Sequence, residues 1–141
     1  MTKPEAAEKI AKLRRLAKNN SNEYEASASR AKIDDLIAKH SLTEDDLISG
    51  EKAHAFDDLI DALHLFVIGH PMLPAGLFGN SAILRNVLDR IKNIEKNDKI
   101  VNLGRLVTIV RTASFVMGND PSIKEIKRIL DNTLHSHGIK I

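Results

Sequence analysis

The segment GNDPSIKEIKRILDNTL, residues 118–134, reads as the end of one helix and the start of the next. Gly118 tolerates the left-handed turn that closes a helix C-terminus. Asp120 can accept hydrogen bonds from the backbone N–H groups that follow it. Pro121 fills the first helical position, where a missing N–H costs nothing. Ile123, Ile126, Leu130 and Leu134 then recur three or four residues apart, which places them on one helix face. Stop signal, start signal and periodicity agree, and the helix is expected to end at Gly138.

The same grammar extends toward the N-terminus. A helix is expected from Pro4 to about Lys18, with Ala6, Ile10, Leu13 and Ala17 on its stripe. The turn NNSN, residues 19–22, leads to a second helix capped by Ser21 or Asn22 and running to about Lys39. That helix has a bulky face of Ala26, Ile33, Leu36 and Ile37, and a small face of Ala28, Ala31 and Ala38. The small face predicts close packing in a tight αα-hairpin. Thr43 with Asp46 resembles a capping arrangement, opening a short element that Gly50 is expected to end. A further helix is expected over 53–68, stopped by Gly69. Asn80 or Ser81 starts another, with Ile83, Leu84, Val87, Leu88, Ile91 and Ile94 as a strong stripe. After EKNDK, residues 95–99, the chain over 98–117 is apolar nearly all round and reads as a central buried helix. Its β-branched content leaves a strand around 106–112 as the alternative. The fold class is all-α: an N-terminal αα-hairpin module over 1–50, then a compact bundle of about four or five helices over 51–141, the whole acting as one cooperative unit.

Bulk properties narrow the function. A chain of 141 residues can bury a core without staples, and the absence of cysteine excludes disulfides, thiolate metal sites and cysteine nucleophiles. The N-terminus lacks a signal peptide's apolar stretch and no run is long enough to span a bilayer, so a cytoplasmic protein without membrane contact is expected. Net charge is only +2, but it is segregated: six basic and two acidic residues over 1–20, four and eleven over 21–61, eleven and six over 62–141. An acidic middle between basic ends is compatible with distinct surfaces.

The loop HPMLPAGLFGNSAI, residues 70–83, contains a G-x-x-G ahead of a helix start, a pattern that can bind anions. The match to a phosphate loop fails: no Walker lysine follows, no strand precedes, and Leu77 and Phe78 sit between the glycines. Met72, Leu73, Leu77 and Phe78 instead suit burial or contact with a protein partner. Among the six histidines, His64 with His70 and His135 with His137 have no metal-ligand spacing, and no metal or cofactor is expected. No serine, histidine and carboxylate share a catalytic spacing, and the paired acids of DDLID (57–61) lack a metal-binding context, so no enzyme is expected. Lys12, Arg14, Arg15 and Lys18 make the first helix basic. Arg105, Thr108, Arg111 and Thr112 form a polar arc on the apolar helix near the C-terminus. With few aromatic residues, stacking on single strands is not expected.

Residues Ile10, Lys12, Leu13, Leu16 and Ala17, then Glu25, Ala26, Ala31, Leu36, Ile37, Lys39, His40 and Leu42, form a pattern. Through it, residues 9–42 resemble a small helical module of unknown function found in phage, prophage, plasmid and bacterial proteins. Arg14 departs from the leucine often found there. The resemblance implies a mobile-element context and no particular chemistry. The expectation is a non-enzymatic accessory protein that binds, and inhibits, a host complex serving defence, replication or transcription, placed in the host cytoplasm if phage-encoded. The alternative is a nucleic-acid-binding accessory protein using Lys12, Arg14, Arg15, Lys18, Arg105 and Arg111.

Overall fold

A computed structural model describes residues 1–69 and 81–140. Among these it contains six α-helices and no strand: α1 (Lys3–Asn19), α2 (Glu23–His40), α3 (Glu44–Gly69), α4 (Ser81–Lys92), α5 (Lys99–Val116) and α6 (Pro121–Ser136). The strand alternative at 106–112 is thereby excluded, since those residues lie inside α5. The chain divides into two units, Met1–His54 and Ala55–Ile141, and the division falls inside the unbroken helix α3.

In the first unit α1 and α2 form the expected αα-hairpin. Thr2 and Glu5 close a capping box at the start of α1, and the Asn22 side chain accepts from the Tyr24 N–H at the start of α2. Ala6, Ile10, Ile33, Leu36 and Leu42 make a small buried core, with Leu13, Ile37 and Leu47 packed against it. The expectation for the small face of α2 is corrected: Ala28, Ala31 and Ala38 are exposed. The alanines that permit close approach are Ala6, Ala7 and Ala11 of α1, all buried. The bulky residues of α2 outweigh its alanines in the competition for the interior, because burial scales with apolar area.

A second correction concerns Gly50. It does not end a helix but lies within α3, whose start is fixed by the Thr43–Asp46 capping box: the Thr43 N–H donates to the Asp46 carboxylate at 2.9 Å, and the Asp46 N–H donates to the Thr43 hydroxyl at 3.2 Å. Gly50 is there because α1 crosses it: a Cβ at this position would lie 2.4 Å from the Ala7 carbonyl carbon.

The second unit holds the larger core. Phe56, Leu59, Ile60 and Leu63 of α3, Val87, Leu88 and Ile91 of α4, Leu103, Leu106 and Val110 of α5, and Ile123, Ile126, Leu130 and Leu134 of α6 interlock in one buried cluster. The stripe read from residues 118–134 is therefore the buried face of α6. Asp120 caps that helix, accepting from the N–H groups of Ser122 at 2.8 Å and Ile123 at 3.1 Å. Gly138, at φ +66°, ends it in a Schellman turn: its N–H donates to the His135 carbonyl, and the Ile139 N–H donates to that of Leu134.

Candidate functional site

Helix α5 is not buried on all sides. Leu103, Leu106, Val107, Val110 and Ala113 face the core, while Val101, Arg105, Thr108, Thr112, Phe115 and Val116 are exposed. The helical repeat places these six on one outward face. Phe115 is 91% exposed and Val116 61% exposed, unusual for large apolar side chains. Beside this face, α4 and α5 leave a groove of about 280 Å³ with apolar walls from Ile83, Val87, Ile109 and Val116. Thr108 and Thr112 line the α5 side, and Arg90 is the charged residue among the described lining. The Thr108 hydroxyl donates to the Gly104 carbonyl at 3.0 Å, so that side chain is folded back on its own helix. Arg105 reaches the Asn102 side-chain oxygen at 3.4 Å and remains exposed. The groove can take an apolar side chain and offers a cation at its rim.

The connection that sets α5 against α4 depends on Asn102. Buried at the first turn of α5, its amide donates to the carbonyls of Glu95 at 2.9 Å and Asn97 at 2.6 Å. These bonds satisfy carbonyls of the irregular 95–98 segment, where Asp98 adopts a left-handed conformation at φ 44°. Nothing in the hydrophobic periodicity marks Asn102 for this role, although a lone amide on an otherwise apolar face is a signal that could have found it.

Another polar cluster is buried where α6 ends. The His137 ring is fully buried and its Nε2 lies 2.8 Å from the Asp58 carboxylate of α3. Neighbouring Asp57 points elsewhere, accepting from Lys99 of α5 at 2.9 Å. The acids of DDLID thus have separate jobs. His135, the sequence neighbour of His137, is exposed, and His64 lies 3.2 Å from the Ile91 carbonyl with its Nε2. The pairings of histidine with histidine considered from the sequence are therefore not the ones that matter spatially. Asp58 and His137 are 79 positions apart in the chain, a separation that no local spacing marks.

The other expected site residues are dispersed. Met72, Leu73, Leu77 and Phe78 lie outside the described residues. On α1, Arg14 and Lys18 are exposed one turn apart, Arg15 is half-buried, and Lys12 lies 3.9 Å from Glu8. These belong to the first unit, whereas Arg105 and Arg111, both exposed, belong to the second. Among the described residues no helix is long and apolar enough to cross a membrane. No family model, curated protein or solved structure matches this chain.

Proposed function

We propose that this chain is a non-enzymatic accessory protein that docks on a protein partner through the outer face of α5 and the α4–α5 groove. The observation that carries this reading is the exposure of Phe115, 91%, beside an apolar groove lined by Ile83, Val87 and Val116. An exposed ring of this size gains little from water and much from a partner's pocket, as aromatic anchors at interfaces do. Arg90 at the groove, with Arg105 and Arg111 exposed on α5, favours a partner segment that alternates apolar and acidic side chains. The resemblance of residues 9–42 to a module of phage and plasmid proteins supports a partner in a host complex of defence, replication or transcription, which docking would inhibit.

Affinity capture from host extract with the full-length chain tests this. Phe115→Ser with Val116→Ser should release a partner held by the wild type while changing the free energy of unfolding by no more than about 0.5 kcal/mol, as befits exposed positions. Arg14→Glu with Lys18→Glu should leave capture intact. If instead this α1 variant alone loses function, and the wild type binds generic duplex DNA with an affinity that falls steeply with salt, the nucleic-acid reading replaces this one.

A further inference from the structure

We propose that a second copy of this chain occupies the outer face of α5, laying its own α2 antiparallel along it. The proposal rests on the reading that this face is a docking surface, and it names the occupant that stands there before a host partner does. Each of the two faces lies wholly within one unit and is exposed there, and the contact is between chains. The outer face of α2 is built on its alanines. With Ala31 as the centre line and ~100° per residue, Tyr24 and Ala38 fall within roughly 20° of it, with Asp34 and Asp35 to either side. All five are exposed, Tyr24 at 85%. Arg30 and Lys32 fall roughly 100° off this line, at the edges of the face. With Thr108 as the centre line of α5, Val101 and Phe115 fall within roughly 20° of it, with Arg105 and Arg111 roughly 60° to either side. Helix α5 contains no acidic residue. One face is thus a small apolar seam between carboxylates and the other an apolar seam between guanidinium groups. Opposite potentials of this kind select a partner.

The antiparallel register follows from the spacing. With Ala31 set opposite Thr108, Tyr24, seven residues before Ala31, comes level with Phe115, seven residues after Thr108. Ala38 comes level with Val101 by the same count in the other direction. Seven residues complete nearly two helical turns, so both pairs stay on the seam. The exposed rings of Tyr24 and Phe115 then cover each other. Asp35 and Arg105 fall on the same side of the seam, one residue apart in level, which is about 1.5 Å and within reach of the guanidinium. Among the described residues no ion pair within the chain engages either of them. A parallel alignment would set Tyr24 against Val101 and Arg105 against Ala28, which separates the rings and leaves Arg105 without a carboxylate at its level. The alanines and Thr108 keep side chains short along the seam, which permits an interaxial distance of about 8 Å. Because α2 and α5 are different surfaces, the contact is heterologous, and each copy carries both halves of it. While α2 of another copy covers it, the α5 face is closed to a host partner.

The test is sedimentation of the purified full-length chain, without host extract, from micromolar to near-millimolar concentration. The expected result is a mass that rises with concentration above the 15.6 kDa of one chain and falls back as salt is added. Asp35→Arg and Arg105→Asp should each weaken the association at least about fivefold, because each sets like charges opposite one another. Mixing the two variants should restore it, since the reversed pair is again opposite in sign. Tyr24→Ser should weaken it as well, while Arg14→Glu with Lys18→Glu leaves it unchanged. Circular dichroism checks that every variant is folded. If Arg105→Asp is not, Asp35→Arg and Tyr24→Ser on α2 and Val101→Glu on α5 must each show the loss. A wild type that stays monomeric throughout overturns this contact, and capture of a host protein by that monomer would leave the host-docking reading standing. Association that both charge variants retain, or that mixing the two folded variants does not restore, also overturns it.

Discussion

Two glycines show how the same residue type serves opposite ends. Gly50 and Gly104 both lie inside helices, where glycine costs about 1 kcal/mol relative to alanine. At Gly104 an added Cβ would meet nothing within 4 Å, so Gly104→Ala should raise stability by about 0.5–1 kcal/mol. At Gly50 it would meet the Ala7 backbone at 2.4 Å, which cannot yield as a flexible side chain would. Gly50→Ala should therefore destabilise, by roughly 1–3 kcal/mol despite its better propensity. Chemical denaturation of the two variants should give shifts of opposite sign. Asn102 is the polar counterpart: Asn102→Ala strands two carbonyls and should cost about 1–3 kcal/mol by the same measurement. The hairpin's alanine face makes the reverse case, since Ala31 is exposed and its replacement by leucine should change stability little.

At the scale of elements, helix ends carry separable contributions. Helix α2 closes in a Schellman turn with Ser41 at φ 52°, the Leu42 N–H donating to the Ile37 carbonyl at 3.1 Å. A non-glycine residue there bears a steric cost, so Ser41→Gly should stabilise by up to about 1 kcal/mol, read from thermal melting. At the start of α3 the Thr43 backbone N–H, and then its hydroxyl, hold the Asp46 carboxyl below its ordinary value. Arg128 does the same to Glu125 on α6 through its hydrogen bonds to that carboxylate. A depressed carboxylate contributes stability that is complete at neutral pH and is lost as acid protonates it below the ordinary carboxylate range. Asp46→Asn should therefore flatten the acid limb of the stability profile, and denaturation midpoints across that range would show whether it does.

For the whole molecule, the two units differ in what they bury. Among the described residues, five form the buried cluster of the first, against seventeen in the second, among them Phe56 and all four apolar residues of the α6 stripe. Local opening is easier where fewer apolar contacts must be broken. Native-state hydrogen exchange should thus show amides of α1 and α2 exchanging through lower-energy openings than those of Leu106, Val107 and Val110. Equal protection throughout would mean that both units open together. The sequence by itself determined the helices, most of their caps and the inward stripes, because caps and periodicity are local: each is written within a few residues of where it acts. Asp120 with Pro121, Asn22 and the Thr43–Asp46 box are all legible on that account. Only the tertiary structure decided that Gly50 continues a helix instead of ending one, that the alanines of α1 and not of α2 lie inside, and that α5 turns Phe115 outward. It alone brought His137 to Asp58. Each of these depends on which residue distant in the chain arrives opposite, and no spacing along a single helix encodes that.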